Sequence, residues 1–182
     1  MSIHTSSMPT PAVAPVIHAY IKDHVWVAVW HNVTMTIWLD RATADALHTI
    51  QGVRKGIHEQ YPDGYSAVGF VPDGTAAPDT EARKAFADIF DDRVSRIRCM
   101  STIIEGGGFW ASGLRAAING MRIESSDQMK VKVHTSIEDV TEWLPGVHLE
   151  TTGVRISRSG LRWALNTFRN GYDRLERVDP AE

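Results

Sequence analysis

The chain has 182 residues, 43% of them hydrophobic and 23% charged, with a formal net charge of -3. That length suits one domain with tails, able to bury a full hydrophobic core without staples. The balance of charge excludes a disordered or polybasic protein, so nucleic acid is not an expected partner.

Residues 1–15 mix Ser, Thr, Pro and Ala without a basic region or the apolar stretch of a secretory signal, and read as a tail. No run approaches the ~20 apolar residues of a membrane-spanning helix, so membrane insertion is not expected. The single cysteine, Cys99, excludes an internal disulfide, and its apolar neighbours make it a buried small hydrophobe rather than a nucleophile. A reducing, cytoplasmic setting is expected.

In chain order, Val16–Tyr20 and Val25–Trp30 are rich in β-branched and aromatic residues and are separated by Lys22, Asp23 and His24, the pattern of a hairpin. Val33–Trp38 either prolongs the sheet or leads into a helix that starts near Asp40. Leu47, Ile50 and Ile57 recur at helical spacing, with Arg54, Lys55 and Glu59 assigned to the other side, and this helix ends near Tyr61. Tyr65–Val71 is an apolar run suited to a central strand buried on both faces. The turn Pro72-Asp73-Gly74-Thr75 precedes a helix over about Asp79–Asp91 with Ala82, Phe86, Ile89 and Phe90 as its stripe.

A strand over about Arg98–Ile104 ends in Glu105-Gly106-Gly107-Gly108, and Trp110, Leu114, Ala117, Ile118 and Met121 mark a third helix. Val131–His134 is a short strand, and Ser136-Ile137-Glu138-Asp139 then reads as an acidic capping box whose helix stops at Leu144, before Pro145 and Gly146. Strands alternating with helices imply parallel crossovers, and the initial hairpin makes the sheet mixed. The expected organisation is an α/β domain over 16–146, a flexible tail over 1–15 and a C-terminal extension over 147–182.

That order, with Ile104-Glu105-Gly106-Gly107-Gly108-Phe109 leading to Arg115, Pro78-Asp79 with Arg83, and Ser136-Ile137-Glu138-Asp139 with Trp143-Leu144, resembles the SpoIIAA-like branch of the STAS-like proteins. The resemblance covers about 130 residues and implies a mixed β-sheet flanked by helices. It also implies a regulatory, signalling role of bacterial type, exerted on another protein. Some STAS domains are anti-sigma-factor antagonists switched by phosphorylation at the start of the helix after the central strand. Here that region holds Thr75 and Thr80, without the Asp-Ser pair of the switch; the plainer reading of both threonines is turn and cap chemistry.

Gly106-Gly107-Gly108-Phe109-Trp110-Ala111 fits the G-x-G-x-x-A form of a dinucleotide fingerprint, whose exposed N–H groups cradle phosphate. Gly106, Gly107, Gly108 and Arg115 are therefore the candidate anion or ligand site, for a nucleotide or a lipid. Close packing at a tight strand-to-helix turn is the rival role for the same glycines. His18, His24, His31, His48, His58, His134 and His148 are scattered without the i, i+4 spacing of a zinc face, so no metal or other cofactor is expected. Ser112 lacks the first glycine of a nucleophile elbow, and the acid pairs Asp91-Asp92 and Glu138-Asp139 point apart on a helix, so no catalytic residue is assigned. Trp26, Trp30 and Trp38 form either a core cluster or an exposed partner patch.

Leu161, Leu165, Phe168, Tyr172 and Leu175 repeat at intervals of four, three, four and three, an apolar seam flanked by Arg158, Arg162, Arg169, Arg174 and Arg177. The seam either folds back on its own domain or docks onto another protein or a second copy of the chain. Taken together, the expectation is a non-enzymatic regulatory or scaffolding module that binds another protein, with small-ligand binding at the glycine turn as the alternative.

Overall fold

Runs of β-branched and aromatic residues build three antiparallel strands in succession, β1 (Val16–Ile21), β2 (Val25–Trp30) and β3 (Val33–Trp38). These come from a computed structural model that describes residues 15–21, 24–78, 80–90, 96–107, 111–113, 115–116 and 129–176. His31, with φ 50°, and Asn32 form the two-residue turn between the paired residues Trp30 and Val33. Val33–Trp38 thus prolongs the sheet, and the following helix α1 (Ala44–Gln60) is capped by Thr43, which accepts from the Ala46 amide at 3.2 Å, rather than by Asp40.

From β3 onward the chain alternates strand and helix: β4 (Tyr65–Val71), α2 (Thr80–Phe90), β5 (Ile97–Ile104) and β6 (Lys130–His134), with 111–113 and 115–116 also helical. The six strands lie in the sheet in chain order, antiparallel up to β3 and parallel from β3 to β6. Each crossover therefore steps the same way, and right-handed steps in one direction lay their helices on one face. Accordingly Leu47, Ile50 and Ile57 of α1 share a core with Ala82, Ala111 and the sheet residues Val27, Tyr65, Ala67, Ile97 and Val131.

The opposite face carries Trp26, Trp30, Met35, Ile37, Val68, Phe70 and Ile103, and two later helices cover it. These are α3 (Ile137–Thr152) and α4 (Arg158–Glu176). The expected stop at Leu144 is corrected: α3 runs through Pro145 and ends at Gly153, whose φ of 71° gives the left-handed cap. Its buried residues Val140, Leu144, His148 and Thr152 fall every four residues, so the stripe that binds the sheet continues past the proline. The boundary expected at 146 cuts this helix, and the C-terminal segment is a third layer of the domain rather than an appendage.

Pro145 donates no hydrogen bond to the carbonyl four residues earlier, at a cost of about 3 kcal/mol in a helix interior. Since its side chain is only half-buried, Pro145→Ala is expected to raise unfolding stability by about 1–3 kcal/mol. Urea denaturation checks this; an unchanged or lower stability would mean that the proline shapes the helix for the contacts beyond it.

Candidate functional site

Three polar constellations lie on or beside the sheet. On the α3 face, Ser66 interrupts the apolar run of β4, and its hydroxyl meets the Cys99 Sγ at 2.6 Å and the His148 Nδ1 at 2.5 Å. His148 Nε2 lies 2.9 Å from Asn32 Oδ1, while Asn32 Nδ2 donates to the Gly64 carbonyl at 3.4 Å. A carbonyl only accepts, so the amide is oriented and His148 Nε2 must carry the proton. Nδ1 is then an acceptor, Ser66 donates to it, and Cys99 donates to the Ser66 oxygen. The chain of donors runs one way from β5 through β4 and α3 to the β2–β3 turn.

All four side chains are fully buried. Burial holds the His148 imidazole neutral, down to about 4. Burial also pushes the Cys99 thiol up to about 11, partly offset by its hydrogen-bond contacts with Ser66 and Thr151. Serine, histidine and asparagine are catalytic types, but a sealed serine leaves no place for an acyl group beside it, and a thiol so raised is not a nucleophile. The cluster fastens four elements together. Sequence reasoning missed it because its members stand 82 and 116 residues apart; the one local sign is a serine inside an apolar strand.

On the α1 face, the paired residues Thr36, Gly69 and Thr102 make a row across β3, β4 and β5. Gly69 leaves a gap in that row: a Cβ built there meets nothing closer than the Ser101 carbonyl at 4.0 Å. Over the gap lies a cavity of about 20 Å³, lined by Thr36, Trp38, Ala67, Gly69 and Met100 from the sheet and by Leu47, Ile50 and Arg54 from α1. Arg54 is 7% exposed, which corrects its assignment to the outer side of the helix. Its Nε and Nη1 have no hydrogen-bond partner among the described residues.

The third constellation is the glycine turn at the carboxyl ends of β4 and β5. Gly106 has φ 77°, and a Cβ there would collide with the Asp73 side chain, so the glycine lets two turns close on each other. Glu105 beside it is held by Arg169 of α4 at 2.7 and 2.8 Å. Two carboxylates thus border the turn, and Gly106 serves close packing rather than an anion cradle. Gly107 has open space around it among the described residues, Gly108 lies outside them, and Arg115 is half-buried with no partner for its Nε among them.

The glycine turn also abuts the turn that holds Thr75, whose hydroxyl is buried and donates to the Pro72 carbonyl at 2.8 Å. It is a turn fastener, out of reach of a modifying enzyme while the turn is closed. Thr80 is exposed at the first residue of α2, where Arg83 donates to its hydroxyl at 3.3 Å.

The seam on α4 is corrected as a docking surface. Leu161, Leu165 and Phe168 are buried in the core over the sheet, Phe168 with its ring 6.2 Å from that of Phe70. Tyr172 and Leu175 belong to the same helix, with side chains outside the described set. Three tryptophans of the sheet are core residues as well, Trp26 and Trp30 under α3 and α4 and Trp38 under α1. Among the described residues no three His, Cys, Asp or Glu side chains gather as metal ligands, and no helix is long and apolar enough to cross a membrane. No family model, curated protein or solved structure matches the chain.

Proposed function

We propose that the chain is a non-enzymatic, STAS-like regulatory module of the cytoplasm that binds another protein through the outer face of α4. The observation that carries this reading is Trp163. With Leu149 it is one of two large apolar side chains left at the surface among the described residues, 38% exposed on a helix whose Leu161, Leu165 and Phe168 are buried. Ser159, Arg162, Thr167 and Asn170 share its solvent-facing side. A tryptophan beside an arginine is the composition of an interface anchor, and the exposed Arg158 and Arg162 favour a partner with an acidic rim. The buried thiol of Cys99 suits a reducing compartment. Locking of the Ser66–His148 pair into the core supports a binding role over turnover.

A photo-crosslinking residue placed at position 163 in the native cell is expected to capture one specific protein. The same residue at Asp45, exposed on α1 across the sheet, is expected not to. Trp163→Ser is expected to lower the partner's affinity by about 2 kcal/mol or more, some thirtyfold, without lowering the melting temperature. Equal capture at both positions would refute the surface, and a turnover abolished by Ser66→Ala in a folded variant would refute the non-enzymatic reading.

A further inference from the structure

Among the described residues, no carboxylate answers the positive charge of Arg54 in the cavity under α1. Burial pushes the Arg54 pKa down, yet a guanidinium does not give up its proton inside a protein. The acidic group electrostatically coupled to it is Tyr65, whose phenol is kept neutral by its own burial, up to about 12, and whose hydroxyl meets His58 Nε2 at 3.3 Å. A water molecule satisfies an N–H group but leaves the charge uncompensated, and an uncompensated buried charge is among the most destabilising features a core can hold.

The shape of the cavity selects what completes it. Gly69 opens the sheet beneath Arg54, Thr36 adds a hydroxyl to the wall, and Leu47, Ile50, Trp38 and Ala67 make the rest apolar. Thr102, one strand beyond Gly69 in the same row, has a buried hydroxyl with no partner among the described residues. The volume of about 20 Å³ exceeds the roughly 10–15 Å³ that one water requires, which is room for a small ion beside the guanidinium. Met100 is the only lining residue that is merely half-buried, so it is the side of the cavity nearest solvent.

From this geometry we propose that the chain binds a monovalent anion of halide size, chloride being the physiological one, between the Arg54 guanidinium and the Gly69 gap, with Thr36 as a further donor. The apolar wall disfavours strongly hydrated anions, and the single cation matches a single negative charge. The site is on the sheet face opposite α4 and stands independently of the protein-binding surface.

The test uses the full chain at constant ionic strength, with sodium gluconate exchanged for chloride, bromide, acetate or phosphate. Chloride and bromide are expected to raise the melting temperature saturably, by roughly 5–10 °C once the halide is about a hundredfold above its dissociation constant. Acetate and phosphate are expected to give no such shift. Arg54→Met is expected to abolish the halide dependence while the protein stays folded. Crystals grown in bromide are expected to show an anomalous peak within hydrogen-bond reach of Arg54 Nε or Nη1, which decides the matter on the unaltered chain if the variant does not fold. A water-like site without anomalous signal, a halide shift retained in Arg54→Met, or stabilisation by phosphate or acetate but not by halide would each overturn the proposal.

Discussion

A chain ending after Gly153 is expected to lose cooperative folding, because the removed segment carries half of the third layer and not a tail. Leu161, Ala164, Leu165 and Phe168 go with it, and Phe70, Met35 and Ile37 lose their cover. Burial of a large apolar side chain contributes about 1.5–3 kcal/mol, so α4 accounts for roughly 5–10 kcal/mol, comparable to the whole stability of a typical domain. The truncated chain should retain far-UV helix and strand signal, lose near-UV signal and bind a hydrophobic dye. A sharp unfolding transition in that chain would show instead that α3 alone covers the second face well enough.

Replacement of His148 by alanine is the second large effect, about 3–5 kcal/mol in urea denaturation at neutral pH. It combines the cavity left by a fully buried ring with two orphaned partners, the Ser66 hydroxyl and the Asn32 carbonyl oxygen. The same ring makes stability depend on pH. His148 is held neutral down to about 4 in the folded chain, against the ordinary histidine value of about 6.5, so between those values the unfolded chain binds more protons. Stability then falls as pH drops from about 6.5 toward 4, by up to roughly 3 kcal/mol from this group, and rises again to its plateau above neutrality. His148→Ala is expected to remove that part of the slope. An unchanged slope in the variant would mean that the ring is not held neutral by its surroundings.

The two helix faces show why some of this was legible in the sequence and some was not. Strands announced themselves through β-branched runs, and α1 through Leu47, Ile50 and Ile57, because burial against a sheet imposes a period that composition preserves. Arg54 belongs to the same stripe, seven residues after Leu47 and three before Ile57, and only its residue type argued for the solvent side. A charge on the apolar period was itself the sign of a site. Pro145 misled in the opposite direction: helices usually stop before proline, yet the buried stripe of α3 carries on to Thr152. The seam on α4 was visible, but a stripe has the same spacing whether it meets its own sheet or another protein. The Ser66–His148–Asn32 contacts had no local signal at all, being made only when α3 closes over β4.

The order of the strands has a further consequence for how the chain emerges during synthesis. Each new strand pairs with the one made just before it, so the sheet and its first helical layer can assemble progressively from the amino end. The second face, with Trp26, Met35 and Phe70, stays greasy and uncovered until α3 and then α4 have followed every strand out of the ribosome. A nascent chain stalled between Gly153 and Phe168 is therefore the form most in need of a chaperone.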